Sequence, residues 1–220
     1  MSESPPEFLD EMQRDALTEL INVGVNRAAA SLATMINHEV LLSVPSISVM
    51  PGTVAARTIA EQSTIRLIVL RQTFEGDLRG RAMLIFPEAH SLELVRAVTG
   101  GALPAEDIVA LEQEALAETG NVILNGCLAT IANALRRSLQ VSLPEILRGS
   151  GTELFELSVG TDPGAVALLI YIDFSVSGRE IRGYIALVMD LPALQTLKKL
   201  LDALIRRATG LVPSMSHVAP

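Results

Sequence analysis

The sequence predicts an α/β (α+β) protein in which helices pack on a largely antiparallel sheet, and three observations lead to this prediction. The chain has 220 residues, 49% of them hydrophobic, with a mean hydropathy of +0.40, so it carries enough apolar side chains for a sizeable core. Helical and strand-like periodicities alternate along it. The same order of segments occurs twice, which predicts two helix-strand-strand-strand-helix units that share one sheet about a pseudo-twofold axis.

The first copy is expected to begin with a long helix and a strand. Ser4-Pro5-Pro6-Glu7 combines an N-cap serine, a proline at the first helical position and a glutamate three residues after the cap. Apolar residues then recur at helical spacing as far as about Asn37. The following segment, VLLSVPSISVM, alternates apolar residues with serines, which is typical of a strand.

A hairpin and a short helix complete the first copy. STIRLIVLRQTF and LRGRAMLIF flank the turn Glu75-Gly76-Asp77, and this pattern predicts two antiparallel strands. Pro87 is expected to open the closing helix and Gly100-Gly101 to end it.

The second copy follows the same order. A helix over about 110–139 leads to the strand QVSLPEIL, a hairpin over about 164–189 and a last helix with Asp190 as its N-cap. We therefore expect a single domain over residues 1–210, with internal repeats at about 7–102 and 103–210. Residues 211–220 are expected to form a disordered tail.

Composition argues against several classes of function. With 17 basic and 25 acidic residues, a net charge of −8, no Trp and 3% aromatics, the chain lacks the basic surface and stacking residues of a nucleic-acid binder. The most apolar run, 165–172, is shorter than the roughly 18 to 20 residues of a spanning helix, so we expect no membrane span. The acidic N-terminus has no signal-peptide pattern, which predicts a cytoplasmic protein.

Cysteine and histidine usage predicts no catalytic thiol and no metal site. Cys127 is the single cysteine and lies among Leu and Ala residues, as core cysteines do. His38, His90 and His217 lack the spacing of metal ligands. We expect the chain to bind no cofactor or metal of its own.

Both long helices carry a polar stripe at matching positions. Steps of four, three and four residues place its members on one helical face; they are Asp15, Glu19, Asn22 and Asn26 in the first copy, and Glu114, Glu118, Asn121 and Asn125 in the second. An ordinary solvated face would explain such a stripe. However, Lys and Arg are absent from it, and asparagine, a poor helix former, recurs at equivalent positions.

The spacing of this stripe resembles the signature of the CheC/CheX/FliY family of response-regulator phosphatases of bacterial chemotaxis. That signature is an acidic residue or serine, three residues, Glu, two residues, Asn, twenty-two residues and Pro. The first copy matches it fully with Asp15, Glu19, Asn22 and Pro45. The second matches with Glu118, Asn121 and Pro144, whereas Glu114 stands where the family usually has Asp or Ser.

The resemblance implies a hydrolase that removes the phosphoryl group from the aspartate of a CheY-like receiver domain. In that reading Asn22 and Asn121 would accept a hydrogen bond from the attacking water and orient it, while Glu19 and Glu118 would pair with the receiver's lysine. The receiver would supply the Mg²⁺. Phosphoryl transfer depends mainly on positioning and electrostatics, and an amide can position water without acting as a base.

Two further expectations accompany this reading. Because a proline cannot donate to a sheet ladder, Pro45 and Pro144 should mark an edge or a bulge and play no catalytic part. The resemblance also allows a binding protein, either an adaptor for the receptor deamidase CheD or a flagellar-switch component of the FliY or FliM type. FliM-like members generally lack the Glu–Asn pairs, and a switch component would normally carry a further C-terminal domain, so we expect the enzyme.

Overall fold

The computed structural model describes residues 8–37, 39–62, 66–98, 105–151, 153–154, 164–176 and 179–210. Its first half contains α1 (Glu11–Ile36), β1 (Val40–Pro51), α2 (Gly52–Gln62), β2 (Leu67–Gly76), β3 (Gly80–Pro87), a 3-10 turn (Glu88–His90) and α3 (Ser91–Val98). Its second half contains α4 (Ala105–Leu135), β4 (Leu139–Val141), β5 (Glu145–Gly149), β6 (Val166–Val176), β7 (Arg179–Met189) and α5 (Leu191–Thr209).

The strands form one antiparallel sheet to which both halves contribute. Its order is β1-β6-β7-β3-β2-β4, and β5 pairs with β2 beside β4. Each half contributes a hairpin to the centre, β2–β3 or β6–β7, and β3 pairs with β7. The first strand of each half pairs with the hairpin of the other half, β1 with β6 and β4–β5 with β2. The predicted fold class, with a shared sheet and a pseudo-twofold arrangement, is confirmed.

Helices cover the two faces of this sheet unequally. The larger core lies between one face and α1, α3, α4 and α5, and it buries Ile21 and Ile123 against Leu70 and Ile170. On the other face α2 buries Ala55 and Ile59 in a smaller cluster, with Ala56 partly buried against it. The sequence analysis did not predict α2, because two buried residues four apart give too narrow an apolar stripe to recognise, and α2 follows β1 with no turn residue between them.

The first helix begins later than predicted. Residues 8–10 are not helical, and α1 starts after an Asp10 N-cap. A capping box forms there: Gln13 N–H donates to the Asp10 carboxylate (2.8 Å), and Asp10 N–H donates to the Gln13 side chain (3.2 Å). Gln13 also donates to Asp202 of α5 (2.8 Å), which fixes this end of the helix by a contact that local sequence cannot reveal. Ser4 lies outside the described residues.

The two signature prolines lie in different settings. Pro45 lies within edge strand β1, at an irregularity of the β1–β6 register between Ser43 and Ser46, as expected. Pro144 does not lie within a strand, because the predicted strand over 140–147 is divided into β4 and β5 by residues 142–144. Its missing N–H is accommodated by this break.

The other predicted helix and strand boundaries differ less from the observed ones. Both hairpins and the Asp190 N-cap are confirmed, with Ala193 N–H donating to the Asp190 carboxylate at 2.8 Å. Pro87 ends β3, and the helix expected to start there begins as the 3-10 turn. Gly100-Gly101, His38, His217 and the tail 211–220 lie outside the described residues.

Helices α1 and α4 approach each other closely enough for backbone contact. A Cβ atom added at Gly24 would lie 2.9 Å from the Cα of Cys127 and 3.2 Å from the carbonyl oxygen of Gly126. One added at Gly126 would lie 2.9 Å from the Cβ of Ala28. Cys127 is buried at this contact, and burial raises the pKa of its thiol to about 12, so the thiol stays protonated and unreactive at neutral pH.

One stretch of α4, Leu111–Leu135, is long and apolar enough, by length and composition alone, to cross a membrane. More than half of its residues are buried inside the fold, as in the core helix of a folded domain. The sequence analysis considered only the shorter run at 165–172 and overlooked this helix.

The glycine contact predicts an unusual response to alanine. Alanine normally stabilises a helix by up to about 1 kcal/mol relative to glycine. At Gly24 the new Cβ would meet backbone atoms of α4, so we expect Gly24→Ala to lower the free energy of unfolding by about 1–3 kcal/mol in chemical denaturation. Thr34→Ala, at an exposed position of the same helix, is the control and should be nearly neutral. A Gly24→Ala variant as stable as the parent would contradict the contact.

Candidate functional site

The first Glu–Asn pair lies on the accessible side of α1. Asp15, Glu19 and Asn26 are exposed, and Asn22 is half-buried. The opposite side of the same helix buries Leu17, Ile21 and Ala28 in the core, so the packing of α1 on the sheet turns the polar stripe outward. No hydrogen bond joins the Asn22 carboxamide to another described residue, so either of its polar atoms can face a partner.

The second pair occupies the corresponding place on α4. Glu114 and Glu118 are exposed, and Asn121 and Asn125 are half-buried. Both pairs are thus at least partly accessible. The three-residue spacing brings Glu and Asn of each pair to neighbouring positions one helical turn apart, where they can reach the same partner.

Asn121 differs from Asn22 in its hydrogen bonds. Its carbonyl oxygen, Oδ1, accepts from Nε2 of Gln72 at 3.0 Å and from Nδ2 of Asn125 at 2.8 Å. Gln72, in β2, also donates from Nε2 to the backbone carbonyl of Ser142 at 2.9 Å. These residues form a chain of amides from the β4–β5 break to α4. The oxygen that the sequence analysis expected to accept from water is therefore already occupied by two internal donors.

Ser142 gives this chain a fixed starting point. Its N–H donates to the carbonyl of Thr73 (2.9 Å), and Thr73 N–H donates to its Oγ (3.0 Å). Its own carbonyl can only accept, so Gln72 must direct its NH₂ group toward it. The same NH₂ group then requires the oxygen of Asn121, which in turn requires the NH₂ group of Asn125. Although amide orientation is assigned from the hydrogen-bond network, here the backbone carbonyl determines it.

Sequence reasoning missed Gln72 and Ser142. For Gln72, the available signal was the alternation of side chains along a strand. In β2, residues 68, 70 and 74 face the larger core with apolar side chains, and Gln72 is the polar residue on the same face. The contact with Asn121 joins residues 49 apart and that with Ser142 joins residues 70 apart, which no local pattern can predict.

Among the described residues, the paired motifs lie apart from a sizeable cavity. A cavity of about 310 Å³ lies beside Thr73, Glu75, Arg79, Arg81 and Asp190 and contains none of the motif residues. Its polar groups include the Arg79–Asp190 ion pair (2.6 Å). Glu–Asn pairs on open helix faces suit contact with another macromolecule better than capture of a small molecule.

Sequence comparison finds relatives that are named as chemotaxis and flagellar-switch phosphatases. The CheY-P phosphatase CheC of Bacillus subtilis (strain 168) is 27% identical over 144 residues, which cover 63% of this chain and 67% of CheC. The flagellar motor switch phosphatase FliY of the same organism is 21% identical over 140 residues, which cover 63% of this chain and 36% of FliY. The chain therefore matches about a third of the length of that FliY. No model of a known protein family matches the chain.

Structural comparison gives the same fold. The crystal structure of Thermotoga maritima FliY matches with a TM-score of 0.68 and 13% identity, covering 89% of this chain and 98% of that structure. Two halves that exchange strands in one sheet give the chain the fold of this FliY structure. In sequence the chain is similar to CheC and FliY proteins.

The site leads to a prediction about metal. Among the described residues, no group of three or more His, Cys, Asp or Glu side chains is placed to hold an ion. Mg²⁺ prefers several oxygen ligands in octahedral geometry. We therefore expect isothermal titration of Mg²⁺ into the protein alone to show no tight binding. Saturable binding at micromolar Mg²⁺ would contradict this assignment.

Proposed function

We propose that the protein is a phosphatase that hydrolyses the aspartyl phosphate of a CheY-like response regulator and so ends a chemotaxis or related two-component signal. The observation that carries the proposal is the duplicated Glu–Asn pair, accessible one turn apart on both long helices. The sequence similarity to a CheY-P phosphatase supports it.

Each residue of the pair has a distinct task in the proposed mechanism. The helix face docks on the receiver, and the carboxylate of Glu19 or Glu118 pairs with a receiver lysine, which sets the register of the complex. The carboxamide of Asn22 or Asn121 then orients a water in line with the bond from phosphorus to the leaving carboxylate oxygen. The receiver supplies the Mg²⁺ and the phosphoryl group, so this chain contributes water positioning and exclusion of bulk solvent.

A binding role is the second candidate, and the likeness to FliY, a protein named for the flagellar switch, favours it. In this role the helix faces would bind a receiver, a switch protein or the deamidase CheD without catalysis. A panel of purified CheY-type receivers, phosphorylated by a small phosphodonor, distinguishes the two. Faster phosphate release in the presence of the protein supports the enzyme, whereas binding with unchanged release supports the adaptor.

The duplication predicts partial redundancy. Asn22→Ala and Asn121→Ala should each leave the activity of the other copy, and only the double variant should approach the receiver's own hydrolysis rate. Losing a water-positioning amide should slow its own copy about a hundredfold, or about 2.7 kcal/mol. The charge of the exposed Glu114 should weaken catalysis by the second copy by about 1 kcal/mol or less. The copy that contains Asn22 should therefore be modestly more active. Steady-state phosphate release measures all three variants. If one single substitution abolished turnover in a folded protein, the other copy would be scaffold only.

The docking role of the glutamate predicts an effect on KM. In a protein that already carries Asn121→Ala, Glu19→Lys should raise KM for the phosphorylated receiver about three- to tenfold with little change in kcat, because a favourable pair becomes repulsive. The effect should shrink at high ionic strength. Glu11→Lys, an exposed residue at the start of the same helix, makes the same change in net charge and should leave KM nearly unchanged. Equal effects of the two variants would argue against a specific lysine contact.

A further inference from the structure

Among the described residues, Asn121 has hydrogen bonds that Asn22 lacks, and their geometry points to a difference in chemistry. Resting on the proposed phosphatase function, we propose that Gln72 and Asn125 are positioning residues that hold the Asn121 carboxamide with its oxygen inward and its NH₂ group outward. The second copy would then present a preset hydrogen-bond donor, whereas Asn22 in the first copy can turn either way.

The orientation follows from hydrogen-bond capacity. An amide oxygen has two lone pairs, and those of Asn121 already accept from Gln72 and Asn125. Its Nδ2 group makes no hydrogen bond to a described residue, so it is the polar group left for a partner. An outward carbonyl would hold the attacking water by one of its protons. An outward NH₂ group holds the water by one lone pair and leaves the other lone pair for phosphorus.

The fold itself does not require a polar side chain at position 72. Arg71 pairs with Glu145, which follows Pro144, and Tyr171 pairs with Ser46, which follows Pro45. Arg71 and Tyr171 are therefore equivalent in the two halves, and the next residues are equivalent too. The position that corresponds to Gln72 is Ile172, which is buried in the same core.

Burial of the amide chain is also unfavourable in itself. Gln72 is 1% exposed, and among the described residues neither its Oε1 nor the buried Oδ1 of Asn125 has a hydrogen-bond partner. A buried polar atom without a partner destabilises a protein. An apolar residue at position 72, like Ile172 at the equivalent place in β6, would avoid this loss. A role at the site explains why the polar side chain is there.

The test isolates the second copy. In a protein that carries Asn22→Ala, only Asn121 can act, and we expect Gln72→Met or Asn125→Ala to lower kcat about two- to tenfold, the range that corresponds to immobilising one side chain. KM for a phosphorylated CheY-type receiver should not change with Gln72→Met, because Gln72 is buried and cannot touch the receiver. Asn125 lies on helix α4, so Asn125→Ala is the alternative variant for this test if Gln72→Met folds poorly.

A matched control uses the other copy. In a protein that carries Asn121→Ala, only Asn22 acts, and the same two substitutions should leave kcat unchanged. Gln72→Met should also have a stability close to that of its parent in chemical denaturation, because it removes an unpaired buried oxygen together with the hydrogen bond that Gln72 donates to Ser142. Lowered kcat in both backgrounds would mean general damage and would overturn the proposal.

A readout without activity separates this proposal from the proposed function. In NMR spectra, the side-chain amide of Asn121 should be rigid by its ¹H–¹⁵N NOE and that of Asn22 mobile, and Gln72→Met should make Asn121 as mobile as Asn22. If the protein accelerates phosphate release from no receiver, the phosphatase assignment fails while this measurement still tests the amide chain. Equal mobility of the two amides in the parent protein would overturn the positioning role.

Discussion

Backbone contact between α1 and α4 at Gly24 and Gly126 is the constraint on which the rest of the molecule depends. With no side chain between them, the two helices can lie side by side and cover one face of the sheet together. Each then buries a row of large apolar residues, worth about 1.5–3 kcal/mol apiece, and rotating either helix would expose that row. The polar face is fixed by the same packing. The Glu–Asn pairs are therefore presented by rigid helices and need no loop to position them.

The exchange of first strands between the halves makes the two copies structurally inseparable. Without β1 the hairpin β6–β7 would lose its outer neighbour, and without β4 and β5 the same would happen to β2. Each half would then expose an unpaired strand edge and an apolar face, a liability for aggregation. Structural dependence does not imply chemical dependence, because no residue of one Glu–Asn pair is hydrogen-bonded to the other pair in the described part of the chain.

Local patterns predicted the features that depend on local physics. The alternation of apolar and polar residues, together with the turn residues, predicted both hairpins. The Asp190 cap was predictable because its side chain accepts a hydrogen bond from a nearby backbone N–H. The start of α1 was wrong because Gln13 is held by Asp202, far away in the chain. The single strand predicted over 140–147 was wrong because its pairing with β2 shifts by one residue: Val141 lies opposite Phe74, whereas Glu145 lies opposite Arg71.

The candidate site divides in the same way. Helical spacing alone put Glu19 and Asn22 on one accessible face, and the same spacing did so for Glu118 and Asn121. The orientation of the Asn121 amide could not be predicted from the sequence, because it depends on the backbone carbonyl of Ser142 in the β4–β5 break. That break interrupts the strand, whereas β1 has a register irregularity beside Pro45 and stays continuous.

A duplicated domain can tolerate such a difference because its two long helices keep the fold whichever residue occupies position 72. Ile172 shows that an apolar residue fits the equivalent place in the core. The first copy thus combines good packing with an amide free to turn, and the second gives up some stability for an amide held in one orientation. Free rotation adapts to more than one partner geometry, whereas a fixed amide loses less entropy on binding the geometry it fits. The two copies would therefore differ most between receivers whose phosphorylated pockets place the water differently.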